Sequence, residues 1–111
     1  LRTNELLTKA LSELSIIKTQ LLSNNSDNTN NSEYSVFSYF ELLNMLDVAE
    51  AIISSSLLRE ERRGSHFRSD FPLRNDKDWL SHVLVQLSNS NLKTSLEPVI
   101  INDIFPDSRT Y

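Results

Sequence analysis

Two apolar stripes at helical spacing, parted by ten residues with no apolar side chain, limit this chain to a helical architecture more firmly than any other feature of its sequence. From Asn4 to Leu22 the residues Leu7, Ala10, Leu11, Leu14, Ile17 and Leu21 recur every three or four positions, while Lys9, Glu13 and Lys18 fall on the wet side. Thr3 or Asn4 is placed to cap this helix. From Glu33 to Arg63 a wider stripe follows: Val36, Phe37, Phe40, Leu43, Met45, Leu46, Ala49, Ile52, Ile53, Ser56 and Leu57. It is longer than a typical globular helix and suits a central helix with partners on two sides. Ser32 is its expected N-cap. Gly64 is expected to end it in the left-handed conformation, with Arg59, Arg62 and Arg63 at its negative pole. Between the stripes, Ser23 to Ser32 offers only Ser, Asn, Asp and Thr, which favour turns, and reads as a solvated connector.

Beyond Gly64, His66 to Asn75 reads as an extended linker, because Pro72 pushes Phe71 out of helical geometry. An extended backbone puts His66, Arg68 and Asp70 on one side and Phe67, Ser69 and Phe71 on the other. Asn75 or Asp76 then caps a third helix carrying Trp79, Leu80, Val83, Leu84 and Leu87, closed by the polar break Ser88 to Asn91. Leu92 to Ile101 alternates and turns β-branched, so it reads as a strand that Pro98 confines to an edge. The last residues, through Phe105 to Tyr111, lack periodicity and suit an arm lying on a neighbour. The expected fold is therefore mostly α: one domain over 1–111, an antiparallel three-helix bundle (spectrin-repeat-like) with helices over 1–22, 33–63 and 76–87. A short C-terminal strand or extended arm over 92–111 completes it.

The single glycine, Gly64, excludes a glycine-rich phosphate loop, so no dinucleotide site is expected within these residues. With no cysteine, neither disulfide nor thiolate metal site is available. A net charge of -4 argues against a nucleic-acid partner. No apolar run reaches the roughly 20 residues of a membrane span. The start at Leu1 reads as a piece of a longer parent, from which its location would be inherited.

Few residues suggest chemistry. His66 and His82 lack further ligands at metal-binding spacing. Ser65 and His66 are neighbours whose side chains diverge on an extended backbone, so they form no nucleophile–base pair. Glu60, Glu61, Asp70 and Asp76 read as surface ion-pair partners of the basic cluster Arg59, Arg62, Arg63, Arg68 and Arg74.

The stretch Arg59 to His82 nonetheless carries a fixed pattern: Arg59, Glu61, Arg63, Gly64, His66, Arg68, Asp70, Phe71, Pro72, Arg74, Asp76, Trp79, Leu80 and His82. At these spacings it resembles the C-terminal helical domain of the succinate dehydrogenase/fumarate reductase flavoprotein subunit family. Arg62, Ser65 and Asn75 depart from that pattern, which has serine, alanine and aspartate there. Leu42 to Glu50 and the ending Glu97 to Tyr111 also resemble the family, and L-aspartate oxidase is its close relative. The resemblance implies a parent that interconverts succinate and fumarate through FAD and passes electrons to an iron–sulfur subunit. Such a parent is cytoplasmic, peripheral on the inner face of the cell membrane. It implies no catalytic, cofactor or metal residue here, since no position matches the family's active-site residues. What remains for this chain is a docking role against the FAD-binding and capping domains. Arg63, His66, Arg68, Asp70 and Arg74 are the expected interdomain contacts, and Gly64 and Pro72 the structural turn. On that reading the polar side of the linker is under-satisfied without its partner, and the aromatic side packs on the bundle.

Overall fold

Both long stripes form the expected helices. In the computed structural model, which describes residues 2–24, 33–88, 91–104 and 107, helix α1 spans Asn4–Asn24 and helix α2 spans Glu33–Leu58. Thr3 caps α1, its Oγ1 accepting from the Leu6 N–H at 3.2 Å. The two helices lie antiparallel, since the end of α2 meets the start of α1 through the linker described below. Leu7 and Leu14, one heptad apart, are buried with Leu46 in the seam between them. Midway, Lys18 reaches Asp47 at 2.7 Å and Glu50 at 2.9 Å. Hydrogen bonds to Asp47 and then Glu50 hold its ammonium above the ordinary lysine range. The expected connector over Ser23 to Ser32 and the Ser32 cap fall largely outside the described residues.

The third helix is a correction. Helix α3 is a single turn, Asp76–Trp79, capped by Asn75, whose Oδ1 accepts from the Asp78 N–H at 3.2 Å. The chain then runs into strand β1, Ser81–Ser88, which pairs antiparallel with β2, Asn91–Pro98. The fold is thus two long helices with a C-terminal β-hairpin, and no three-helix bundle forms. Val83, Leu84 and Leu87 fit helical spacing, but the same run also fits period two. Ser81, Val83 and Val85 are half-buried while His82, Leu84 and Gln86 face out. Pairing with β2 decides between the two periods, as tertiary context does for short apolar runs. The register Ser88↔Asn91 leaves a two-residue connection. A polar pair between two alternating runs is a hairpin signal. The expected strand at Leu92 is present, ends at Pro98, and does not include Val99 to Ile101. The expected arm lies outside the described residues, apart from Ile101 to Ile104 and Asp107.

Helix α2 also ends earlier than expected, at Leu58 and not Arg63. Gly64 is left-handed, with φ +56°, but it serves a separate tight turn. There the Arg63 N–H donates to the His66 carbonyl at 3.0 Å, and the His66 N–H to the Arg63 carbonyl at 2.9 Å. A two-residue turn of this kind needs positive φ at its first central position. A Cβ on Gly64 would meet no atom within 4 Å, so the constraint there is the backbone alone. Gly64→Ala is therefore expected to destabilise the chain by about 1 kcal/mol or more, and Gly64→Asn by less. Urea midpoints measure both; an alanine variant as stable as the parent would show that the turn tolerates an ordinary residue.

Candidate functional site

The linker between α2 and α3 folds around two arginine–carboxylate clusters. In the first, Arg68 is 1% exposed and lies where the two long helices meet. Its Nη1 donates to the last free carbonyls of α2, Ser56 at 2.9 Å and Leu57 at 3.1 Å. Its Nε and Nη2 donate to the two oxygens of Asp70, at 2.8 and 2.6 Å. Asp70 Oδ2 in turn accepts from the Asn4 N–H, in the first turn of α1, at 2.7 Å. The cation thus sits at the negative pole of one helix and its anion at the positive pole of the other. Hydrogen bonds from Arg68, stronger than the opposing desolvation, hold the Asp70 carboxyl far below its usual range. The Ser69 N–H adds a bond to the Arg2 carbonyl at 2.9 Å.

Glu61 is the hub of the second cluster and is fully buried, at 0% exposed. It accepts from Arg59 at 2.5 Å, from Arg63 at 2.6 and 3.0 Å, and from the Asn75 N–H at 2.9 Å. Desolvation pushes its carboxyl up, but the bonds from Arg63, Asn75 and Arg59 together outweigh it and hold it low. Arg63 continues to Asp76 at 2.5 Å, and Arg74 donates to the same Asp76 oxygen at 2.8 Å and to the Asp107 carbonyl at 2.9 Å. Arg59 also donates to the carbonyls of Trp79 and Ser81, joining the end of α2 to the start of the hairpin, and its guanidinium lies over the Trp79 ring. The reading of Glu61 and Asp76 as separate surface ion-pair partners is corrected: both converge on Arg63. Glu61 lies two positions from Arg59 and from Arg63, and that spacing was the available signal.

His66 joins the two clusters. Arg2 Nη1 lies 3.2 Å from its Nδ1, and its Nε2 lies 3.3 Å from the Arg59 carbonyl. Arg2 can only donate, so Nδ1 accepts and Nε2 carries the proton that faces the carbonyl. This arrangement needs a neutral ring. Burial, then the nearby arginines, push the His66 pKa below its ordinary 6.5 despite the bond to Arg59.

Of His66, Arg68 and Asp70, which alternation places on one side of the linker, Arg68 is buried and His66 half-buried, while Asp70 stays at the rim. The expectation of an under-satisfied polar side is overturned: Arg68 and Asp70 are bonded within the chain. Phe67 instead sits at the surface beneath Arg62, while Phe71 is half-buried against Arg68. Pro72 and Leu73 form the exposed outer bend, with Leu73 79% exposed and its carbonyl accepting from the Arg62 N–H at 3.0 Å.

A cleft of about 460 Å³ opens beside this region, lined by Ser56, Arg59, Arg63, His66, Trp79 and His82 among others. Its two guanidiniums are committed to Glu61, so no unneutralised cation faces it. Among the described residues no three His, Asp or Glu side chains are placed to hold a metal ion. Nor do these residues fit FAD. The first turns of α1 and α3 are occupied by Thr3, Asp70 and Asn75, and Gly64 lies in an outward turn rather than beneath a helix N-terminus. No helix among the described residues is long and apolar enough to cross a membrane.

Since His66 and the paired carboxyls all have lowered pKa values, the unfolded chain binds more protons at acid pH, and stability falls as pH falls. Thermal midpoints are expected to drop first from about pH 6.5, as His66 protonates in the unfolded chain, and again below about pH 4, as Asp70, Asp76 and Glu61 do. In His66→Gln the first drop is expected to vanish while the second persists. An unchanged first drop would contradict the neutral-ring geometry.

Comparison with known proteins gives this arrangement a family. The chain is 40% identical over 112 residues to the fumarate reductase flavoprotein subunit of Mycobacterium tuberculosis, an alignment covering 99% of this chain and 19% of that protein. It superposes with a TM-score of 0.86 and 26% identity on a point variant of the FrdA chain of Escherichia coli quinol fumarate reductase, over 96% of this chain and 19% of that one. An L-aspartate oxidase from Synechocystis is 44% identical over 42 residues, only 38% of this chain, and is a more distant relative. The chain therefore spans about a fifth of the length of the relatives it matches. The family model described as fumarate reductase flavoprotein C-term matches residues 1–111. The chain belongs to that family, as the C-terminal domain of a fumarate reductase/succinate dehydrogenase flavoprotein subunit.

Proposed function

We propose that this domain is a docking scaffold of a flavoprotein that interconverts succinate and fumarate through FAD held elsewhere in the parent, and that it performs no chemistry alone. The observation that carries the reading is its thin core. Among the described residues, three apolar side chains are buried and eighteen large ones are exposed. A free-standing adaptor would not leave so much apolar surface in water.

On this reading the linker meets the FAD-binding or capping domain. Arg74 and Asp70 contribute from its rim, while Arg63, His66 and Arg68 hold its shape from within, Gly64 and Pro72 setting its turns. Charged groups at such a surface fix register more than they add affinity. The parent passes electrons to an iron–sulfur subunit and is peripheral on the inner, cytoplasmic face of the cell membrane.

The test compares the complete flavoprotein subunit with the 111-residue chain for flavin content, succinate oxidation, fumarate reduction and L-aspartate oxidation. The complete subunit is expected to hold FAD and act on succinate and fumarate, and the chain alone to do neither. Turnover of L-aspartate with none of succinate or fumarate, or flavin retained by the chain alone, would overturn the reading.

A further inference from the structure

The polar clusters lie at one end of the helix pair, but the largest uncovered apolar face lies elsewhere, along α2. Helix α2 turns Leu46 into the seam with α1 and leaves a second apolar stripe outward. Phe37 is 74% exposed, Met45 62% and Val48 59%, with Phe40 and Ile52 beside them. These side chains line a shallow groove of about 650 Å³ whose walls are overwhelmingly apolar, with Glu41 and Asn44 as its polar members. Along its whole length α2 carries four acidic residues and no basic one. Asp47 and Glu50 both pair with Lys18 on the side of α1, and the negative charge on the groove itself comes from Glu41.

We propose that this groove is the seat of the remaining part of the same flavoprotein subunit, which covers it with an apolar surface bearing a basic side chain opposite Glu41. The occupant is chosen on three grounds. The chain is the C-terminal domain of its family and spans about a fifth of its relatives, so some four fifths of such a subunit lies outside it. The stripe is continuous over four turns from Phe37 to Ile52, as a surface permanently buried within one chain would be. Its acidic tone disfavours a second copy of itself, since neither the groove nor the rest of α2 carries a basic side chain to meet Glu41. The inference rests on the docking reading above but concerns a different surface from the linker.

The absence of cysteine from this chain supplies the test. Val48→Cys places one thiol in the groove; Met45→Cys replaces it where that variant fails to fold. The variant is made in the 111-residue chain and in the complete flavoprotein subunit without its iron–sulfur partner. Iodoacetamide alkylation is followed on the peptide carrying the new thiol. The groove thiol is expected to react about tenfold or more slowly in the complete subunit than in the chain alone. Equal rates would overturn the proposal. So would protection that appears only when an iron–sulfur subunit is added, which would make that subunit the occupant. Protection in the chain alone that rises with concentration, with dimers by sedimentation, would assign the groove to a second copy and overturn it too. Because the rate is read on a peptide, failure of the succinate–fumarate assignment would leave this result unaffected.

Discussion

The Arg68–Asp70 pair is the interaction on which the rest of the domain depends. Two antiparallel helices bring an end with orphan carbonyls beside an end with orphan N–H groups. Arg68 satisfies the first at Ser56 and Leu57, Asp70 satisfies part of the second at Asn4, and each neutralises the other. One pair two residues apart in sequence therefore caps both helices and pins the linker to their junction. Burying such a pair is favourable only when its remaining hydrogen-bonding groups are also satisfied. Arg68 meets that condition: Nε, Nη1 and Nη2 all have partners.

Glu61 does the same work one step further along. It gathers Arg59, Arg63 and the Asn75 N–H, and through them the end of α2, the Gly64 turn and the start of α3. Arg59 then carries the connection into the hairpin at Trp79 and Ser81. The shape of this end of the domain is thus set by directional polar contacts. The apolar side chains that would form the centre of a free-standing fold largely remain outside, more of them on α2 than on any other element. Polar contacts of this kind specify geometry, while the exposed apolar faces supply the area for association. That division suits a domain whose stability is completed by its neighbours.

Long stripes were legible in the sequence because a period near 3.6 sustained over twenty residues has one solution; α1 and most of α2 follow from Leu7 to Leu21 and Val36 to Leu57. The short run Trp79 to Leu87 was not, since its apolar residues satisfy two periods and only pairing with Asn91–Pro98 selects the strand. At the site, Gly64 was legible as a left-handed residue because no other glycine competes, but not its turn, since α2 stops at Leu58. Arg68 and Asp70 could be placed on one side by alternation. That Arg68 is buried there depends on where two helix ends meet, a long-range fact that local pattern does not carry. The burial of Glu61 is of the same kind: a carboxylate flanked by arginines looks like a surface group until the chain folds around it.

The claim that one ion pair joins the two helix poles is tested most directly by a double-mutant cycle of Arg68→Met and Asp70→Asn, read as urea-denaturation stability of the chain. Each single change leaves the partner charge unpaired, and Arg68→Met also leaves the Ser56 and Leu57 carbonyls without their donor. The double change removes both charges, so it should cost clearly less than the sum of the two single changes. Additive losses would contradict the account, since they would mean that each residue acts on its own helix without the other.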